Sequence, residues 1–545
     1  MSNKIKQTIF FLIFGVLHLA LYANDYYVHP VLGNDFNNGL SKDMAFKTLK
    51  RVSEIDLQPG DRLFLACNQV YVGGLELVNI NGTMDRPILV TSIHWYSDEN
   101  TNPAVINSKG LANGILIEDS SFINVSNIEI TADGHYQALG NIDMRCAILV
   151  TNNRANAMQH IVIDNITIDN IYYENYGFER GKEEVKTANG TQKYGWGIRV
   201  MNKTTASINH VKIMNCHISN VSHTGIKLTG INKNISNVEI LSNTIKKTGG
   251  PGVQMSEVEY VYVANNLVSH SGSFDDSRKW GRGSGLWTWG SSNVMIEKNK
   301  FLYANGPGDS AGAHIDFNCD NIVLQYNMSA YNAGGFCEIL GNNYNCSYRY
   351  NISINDGHRK KGENGAFQEG KTFWLSGYQG NNKKRKGPVN SYFYNNTIYC
   401  DASIVSKIAI DNTSKGILIA NNIFYIEGLS KVVLGDQYKP DIMSGELVEN
   451  VFFKSNIFLK RDNWPKGVGI SDVAPIIGDP DFLKKGGLNA KDYMPTNLKL
   501  IKNKGIKIPL LPNDTEGLLQ SLNLEQDILG NKIKGTPSLG AIEPE

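Results

Sequence analysis

The chain has 545 residues, with 53 Lys and Arg against 52 Asp and Glu. This balance argues against general nucleic-acid binding and against a basic membrane-surface role. The 53 Gly, the 25 Tyr and the abundant Asn favour a β-rich exported protein with many turns, because Gly and Asn tolerate the left-handed backbone conformation.

The first 23 residues have the pattern of a secretory signal peptide. Lys4 and Lys6 precede an apolar run over residues 9–20, and the small residue Ala23 follows. The run is shorter than the roughly 20 residues that a membrane span requires. We therefore expect cleavage after Ala23, no membrane span, and a protein exported to the periplasm or the extracellular space.

The cysteines form no recognisable metal or disulfide pattern. There are seven, an odd number, without a CxxC or Cys/His zinc spacing: Cys67, Cys146, Cys216, Cys319, Cys337, Cys346 and Cys400. The sequence therefore predicts no metal site and no essential disulfide framework.

Residues 24–59 predict a short strand followed by an amphipathic helix over 45–55. In that helix Ala45, Leu49 and Val52 share one face. Because a stack of strands exposes an apolar end, a helix at this point is expected to cap it.

Residues 60–475 are dominated by repetition. An Asn followed by alternating apolar residues recurs at Asn165, Asn215, Asn243, Asn265, Asn299, Asn327, Asn351, Asn396, Asn421 and Asn456. The shortest spacings, between 22 and 28 residues, define one coil. Propellers and leucine-rich repeats have other periods or another consensus. The pattern therefore predicts an all-β fold, a parallel β-helix whose Asn side chains stack from coil to coil.

A second column consists of strands that each begin with glycine, at Gly197, Gly225, Gly252, Gly285, Gly312 and Gly334. Side chains alternate between the two faces of a strand, so this column predicts one shared outward face. The residues expected there are Arg199, Lys227, Gln254, Trp287, Trp289, His314, Asp316, Phe336 and Glu338.

Three polar insertions interrupt the coils, at about residues 172–194, 271–283 and 357–386. Loops that leave a rigid scaffold commonly carry function. Residues 476–545 lose the repeat, and we expect this tail to pack along the outside or to cap the last coil.

Asp316 and Glu338 are the candidate catalytic pair. Matching Gly312 to Gly334 places these two carboxyls one strand spacing apart, about 4.8 Å between backbones. Stacked carboxylates repel each other, which raises one pKa and yields an acid beside an ionised group. We assign Asp316 as nucleophile and Glu338 as acid/base, with the short separation of a retaining glycosidase. A Ca²⁺ site or a structural pair is the alternative.

The neighbouring side chains predict substrate contacts. Trp287 and Trp289 offer aromatic surfaces for sugar rings. His314 and Asp309, the latter in a GPGDSAG turn, can orient the substrate or tune the carboxyls. The other predicted substrate-binding residues are Lys227, Arg199, Gln254 and Phe336.

The stretch HIDFNCDNIVLQYNMSAYNAGGFCEIL resembles glycoside hydrolase family 120, known for β-xylosidases, and more loosely family 141, which includes fucosidases and xylanases. The opening YYVHPVLGNDFNNGLSKDMAFKTLKRV and the closing LGAIEPE are similar to exported bacterial β-helix proteins of this group. The resemblance implies a right-handed parallel β-helix of the pectate-lyase-like superfamily. It also implies a retaining pair at Asp316 and Glu338.

Three functions remain open. The first is a secreted, probably monomeric glycoside hydrolase that needs no cofactor and cleaves plant or algal polysaccharide or oligosaccharide, with an exo action favoured by the large insertions. The second is a polysaccharide lyase, in which Arg199, Lys227, His223 or His314 act on a uronic acid while Asp316 and Glu338 hold Ca²⁺. The third is a non-catalytic glycan-binding β-helix, which the gathering of acids and aromatics in three adjacent coils disfavours.

Overall fold

The computed structural model describes residues 23–96, 102–134, 144–433 and 450–544. The predicted signal peptide therefore lies outside the described residues, except for Ala23. Within the described ranges, no helix combines the length and the apolar character needed to cross a bilayer.

The chain forms a right-handed parallel β-helix, as the repeat predicted, and the strands of one coil pair in parallel with those of the next. One side of the solenoid is a twelve-stranded sheet, called here the site sheet. Its strands are Leu75–Val78, Asn113–Glu118, Arg145–Asn152, Gly195–Asn202, Ile226–Thr229, Val253–Ser256, Leu286–Trp289, Ala313–Ile315, Gly335–Ile339, Lys371–Leu375, Ser406–Ile410 and Ser430–Val432.

The remaining sides form one 26-stranded sheet of two linked strips. Its strands are Asp25–Val28, Arg62–Ala66, Val70–Val72, Ile88–Ile93, Ala104–Asn107, Ile123–Asp133, Met158–Tyr172, Ile208–Met214, His217–Val221, Ile235–Leu241, Thr244–Lys246, Val258–Ala264, Leu267–Ser269, Ser292–Glu297, Lys300–Leu302, Asp320–Gln325, Met328–Ala330, Ser347–Arg349, Ile352–Ile354, Val389–Tyr394, Thr397–Cys400, Lys415–Ala420, Ile423–Ile426, Val451–Lys454, Ile457–Phe458 and Ile476–Ile477.

The core is a continuous column of aliphatic side chains along the solenoid axis. Ile163, Ile213, Ile240 and Val263 lie directly above one another in successive coils and are fully buried. Each coil thus buries its apolar face on its neighbours, at roughly 25 cal/mol for each Å² removed from water. All seven cysteine thiols are free and buried in this structure.

A ladder of buried asparagines runs along one corner, where each side-chain amide donates to the Oδ1 of the next Asn. Its members are Asn243, Asn266, Asn299, Asn327, Asn351, Asn396, Asn422 and Asn456. The predicted Asn265 and Asn421 were therefore wrong by one residue. Both have positive φ angles, as do Asn165 and Asn215, and they turn the backbone instead of joining the ladder.

The N-terminal end is closed by a short helix, Leu49–Ser53, which is shorter than the predicted 45–55. Thr48 caps it, and Leu49 and Val52 are buried on the first coils. The helix starts late because Phe46 is extended and bridges Val28 as part of the sheet. A 3₁₀ turn at Lys42–Met44 precedes it.

The C-terminal tail packs against the outside of the 26-stranded sheet. Phe482, Tyr493 and Leu539 cover Tyr399 and Tyr425 there. The tail contains the 3₁₀ turn Ala490–Tyr493 and the short helix Leu498–Ile501, and another 3₁₀ turn, Lys466–Val468, lies just before it. The tail therefore shields strand faces that would otherwise expose aromatic rings.

Candidate active site

A cavity of about 470 Å³ opens on the outer face of the site sheet. The sheet forms its floor, and the insertions form its walls. It is lined by Ala188, Asn189, Gln192, Lys227, Thr229, Gln254, Ser256, Arg282, Trp287, Trp289, Asp309, His314, Asp316, Phe317, Gly334, Glu338, Leu340, Arg359, Gln368, Glu369, Lys371, Trp374 and Tyr378. All predicted site residues except Arg199 and Phe336 belong to this lining.

The outward column has the predicted register over five coils. Arg199 pairs with Lys227, then Gln254, Trp287 and His314 follow in neighbouring strands. The column forms because Ile, Leu and Val occupy the alternating inward positions of the same strands.

The prediction for Arg199 is corrected by its contacts. Its guanidinium lies 4.5 Å from the ring centroid of Trp196 and donates to Gln192 Oε1 at 3.0 Å. Gln192 of the first insertion therefore stands between Arg199 and the cavity, and the arginine supports the wall from behind.

The predicted register of Glu338 is wrong by two residues. Ala311 bridges Gly335 and Ile315 pairs with Ile339, so His314 lies opposite Glu338. Asp316 then faces Leu340, and the two carboxyls are diagonal neighbours. The coil has 24 residues here, the spacing that also separates Asn327 from Asn351. The similar Gly-led pattern at Gly312 and Gly334 had suggested 22.

Phe336 is buried in the interior and does not face the cavity. Its ring meets that of Tyr348 edge to face, with centroids 5.3 Å apart. The regular alternation fails here because Gly335 has a φ of 141°, a conformation that Gly tolerates and that rotates the start of the strand.

Asp309 forms a two-point ion pair with Arg282. Arg282 Nε donates to Asp309 Oδ2 at 2.8 Å, and Nη2 donates to Oδ1 at 3.0 Å. Burial by itself raises the pKa of Asp309, but the charge and hydrogen bonds of Arg282 outweigh it and hold the pKa below its ordinary value. Asp309 is therefore the ionised carboxylate of the cavity.

The turn that carries Asp309 is held from three sides. Arg282 Nη1 donates to the carbonyls of Lys186 and Thr187 in the first insertion. Arg359 Nη1 donates to the carbonyl of Asp309 at 2.9 Å, and Gln368 Oε1 accepts the Asp309 N–H. These contacts fix a strained turn, since Asp309 and Ser310 both have positive φ angles.

Asp316 and Glu338 have the opposite electrostatic tendency. Burial raises the pKa of Asp316 to about 7, although the Phe317 N–H donates to its Oδ1 at 2.8 Å. Burial also raises the pKa of Glu338; Asp309 and Asp316 add to the rise, and the Lys371 ammonium opposes it. The cavity thus combines one ionised carboxylate with two carboxyls that hold protons near neutral pH.

Aromatic rings form a surface beside the carboxyls. Trp287 stacks on His314, with ring centroids 6.0 Å apart and planes 10° apart. Burial lowers the pKa of His314 to about 4, so its ring is neutral at neutral pH. Trp289 meets Phe317 edge to face, and Phe317 meets Tyr378 in the same way. Flat apolar surfaces of this kind suit the C–H faces of sugars.

Several buried polar atoms of the lining have no hydrogen-bond partner within the described residues. They are Thr229 Oγ1, Trp289 Nε1 and Gln368 Nε2. Since buried polar groups are normally paired, these atoms are suited to a polyhydroxylated ligand.

The sequence missed the lining residues that the second and third insertions supply, Arg282, Arg359, Gln368, Glu369 and Lys371. Four of them lie outside the Gly-led strands, and only Lys371 begins a site-sheet strand, Lys371–Leu375. Their position within the polar insertions was the available indication.

No group of three or more His, Cys, Asp and Glu residues in the described ranges is arranged to hold a metal ion. The Ca²⁺ that the lyase alternative calls for has therefore no candidate site of that kind in this part of the chain.

Comparisons with known proteins support the fold. A family model described as a right handed beta helix region matches residues 196–362. A lacto-N-biosidase of Bifidobacterium longum subsp. longum is 24% identical over 629 residues, covering 95% of this chain and 36% of that protein. The chain thus spans about a third of the length of that curated relative.

Among solved structures, a family 136 lacto-N-biosidase from Eubacterium ramulus superposes with a TM-score of 0.53 at 19% identity, over 76% of this chain and 68% of that one. Its selenomethionine derivative gives the same TM-score at 17% identity. The coarse resemblance to right-handed β-helix proteins is confirmed. Neither relative supports families 120 or 141 specifically.

Proposed function

We propose that the protein is a glycoside hydrolase that acts on oligosaccharides in the cavity of the site sheet. The observation that carries the proposal is the set of three carboxyls, Asp309, Asp316 and Glu338, in one cavity beside stacked aromatic rings. The names of the similar proteins, lacto-N-biosidases, one of them in glycoside hydrolase family 136, agree with this reaction class.

In the proposed mechanism Glu338 is the acid/base and Asp316 is the nucleophile. Glu338 has the raised pKa that a general acid needs to hold its proton. When Glu338 gives its proton to the leaving oxygen, Asp316 is left ionised to attack the anomeric carbon. Asp309 stays ionised in its pair with Arg282 and favours positive charge on the sugar ring in the transition state.

The diagonal placement of Asp316 and Glu338 still permits retention. Diagonal neighbours in a sheet have Cα atoms about 7–8 Å apart, within reach of long side chains. The flexible Glu338 side chain can therefore close to the roughly 5–5.5 Å that a retaining pair requires. Retention predicts that the first product keeps the anomeric configuration of the substrate, which ¹H NMR during early turnover reads directly.

The insertions favour an exo action at a chain end. Asn189 and Gln192 wall one side of the cavity, and Arg359 and Tyr378 wall the other. Walls on both sides restrict a long polymer more than a short terminal unit. We propose export and a plant or algal glycan as the substrate source, on the residue pattern of 1–23 and on the family resemblance.

The decisive experiment compares wild type with Glu338→Gln, Asp316→Asn and Asp309→Asn. The panel contains plant and algal polysaccharides, their oligosaccharides, and oligosaccharides that end in lacto-N-biose. Reducing ends and absorbance near 235 nm are followed together. New reducing ends without absorbance, lost by about 10²–10⁴-fold in Glu338→Gln, support the hydrolase.

Azide separates the roles of the three acids on an aryl glycoside. Rescue of Asp316→Asn with a glycosyl azide of inverted configuration identifies the nucleophile, and rescue of Glu338→Gln with retained configuration identifies the acid/base. Rescue of Asp309→Asn in place of one of them would overturn the assignment of that role. Absorbance rising with cleavage would replace the hydrolase by a lyase.

A further inference from the structure

We propose that the cavity contains an anion subsite around Lys227, which receives an acidic group of the substrate, either the carboxylate of a uronic acid or a sulfate ester. The inference rests on the proposed function, because it names the substrate class of the same cavity. It concerns the end of the cavity away from the three carboxyls.

Lys227 is a buried cation without a protein anion. It lies in the strand Ile226–Thr229, lines the cavity and is 7% exposed. Its ammonium lies 5.1 Å from the ring centroid of Trp196. Within the described residues no carboxylate pairs with it and no acceptor receives its protons. An uncompensated buried charge is costly, and a ligand anion would remove that cost.

The groups that face Lys227 make its environment positive or neutral. Arg199 lies opposite in one neighbouring strand and the uncharged Gln254 in the other. His223, close enough to be affected by Lys227, is held neutral because burial lowers its pKa well below the ordinary value. Burial likewise lowers the pKa of Lys227 to about 7, and Arg199 adds to this effect.

The lining around Lys227 is polar but contains no acid. Thr229, the next outward residue of the same strand, has a buried hydroxyl without a partner in the described residues. Asn189 and Gln192 of the first insertion and Ser256 complete this end of the cavity. Donors without a competing carboxylate are the chemistry that binds a sugar acid.

The subsite is separate from the point of cleavage. Three strand spacings lie between Lys227 and His314, about 14 Å between backbones. Gln254 and the ring of Trp287 occupy the floor in between. The acidic group is therefore on another part of the substrate than the glycosidic bond that the carboxyls cleave.

The test measures binding, so it does not depend on turnover. Galacturonate, galactose 6-sulfate and galactose are titrated by calorimetry into wild type, Lys227→Met, Lys227→Arg and the control Lys300→Met. Lys300 is exposed on the 26-stranded sheet. We expect at least one acid to bind about tenfold or more tightly than galactose. Which acid binds distinguishes the two sources of the anion.

Lys227→Met should abolish this preference, whereas Lys227→Arg and Lys300→Met keep it. The affinity of wild type for the acid should fall about tenfold from pH 6 to pH 8, because free Lys227 loses its proton through a pKa of about 7. A merely structural lysine would not produce that pH dependence.

Equal binding of the acid and neutral sugars, or a preference that survives Lys227→Met in a folded variant, would overturn the subsite. If neutral glycans are hydrolysed and acids do not bind, the subsite fails while the hydrolase stands. If acids bind and no glycan is hydrolysed, the subsite stands while the proposed function fails. Absorbance near 235 nm, lost in Lys227→Met, would make Lys227 an eliminating base and overturn the binding role.

Discussion

Arg282 holds Asp309 through two hydrogen bonds, from Nε to Oδ2 at 2.8 Å and from Nη2 to Oδ1 at 3.0 Å. The same guanidinium reaches the carbonyls of Lys186 and Thr187. One side chain of the second insertion thus ties the first insertion to a carboxylate of the cavity. The charge of Asp309 and the position of the cavity wall depend on the same residue.

Arg282→Met should therefore change both stability and pH dependence. Leaving Asp309 and the two carbonyls without their donor should lower the free energy of unfolding by about 2–3 kcal/mol. The pKa of Asp309 should rise, so the acid limb of the kcat/KM profile moves to higher pH. Denaturant titration and pH–rate profiles measure the two effects.

The control for Arg282→Met is Arg154→Met, since Arg154 is an exposed arginine 3.9 Å from Asp119. It should leave both quantities unchanged. A destabilised Arg282→Met enzyme with an unshifted acid limb would show that Arg282 supports the loops without tuning the acid.

Asp316→Asn should stabilise the protein at pH 8 relative to pH 5. The folded pKa of about 7 lies above the ordinary value near 3.9, so the folded state binds more protons in between. Stability contributed by this site is therefore lost as the pH rises from about 4 to 7. The amide keeps an oxygen for the Phe317 N–H and removes the titration.

We expect the difference in unfolding free energy between Asp316→Asn and wild type to grow by about 1–3 kcal/mol from pH 5 to pH 8. Urea unfolding at several pH values measures it. The exposed Asp462→Asn serves as the control and should give a constant difference. The same constancy in Asp316→Asn would contradict the raised pKa.

Trp287→Ala should weaken substrate binding more than turnover. The indole lies in the cavity floor, stacked on His314 and away from the Asp316 carboxyl by one strand. Loss of a sugar platform should raise KM by about tenfold and leave kcat within about twofold. Steady-state kinetics on the best substrate decide this, with the exposed Tyr260→Ala on the other sheet as the control. A fall in kcat alone would assign Trp287 to the chemistry.

Asn327→Ala should destabilise the solenoid. The Asn327 amide donates to the Ile296 carbonyl and to Asn351 Oδ1, and its own Oδ1 accepts from Asn299. Truncation leaves several buried groups unpaired, each costing about 1–3 kcal/mol. We expect a lower Tm in scanning calorimetry, whereas Asn102→Ala at an exposed position should change little. An unchanged Tm would mean that water replaces the missing amide.

The repeat pattern predicted much of the site sheet correctly. The Gly-led strands placed Lys227, Gln254, Trp287 and His314 on one face, because alternation along a strand is a local property that the sequence displays. The Asn spacing identified the coil, although the ladder position was one residue off at Asn265.

The same reasoning failed where the turn length changed. Glu338 moved from Asp316 to His314 because a coil of 24 residues was taken as one of 22. Register between strands depends on the full length of the coil and its corners, which a local match of five residues does not measure. Phe336 failed for a related reason, since a single Gly conformation turned it inward.

The sequence by itself determined the parallel β-helix, the face that carries the cavity, and the candidates Asp316, Glu338 and Lys227. Only the tertiary structure decided that Arg282 fixes Asp309, that Glu338 lies beside His314, and that Lys227 is buried without an anion in the described residues. Periodic burial is written into neighbouring residues. Contacts between insertions that are far apart along the chain are set by how the loops fold back onto the sheet, and no local pattern encodes them.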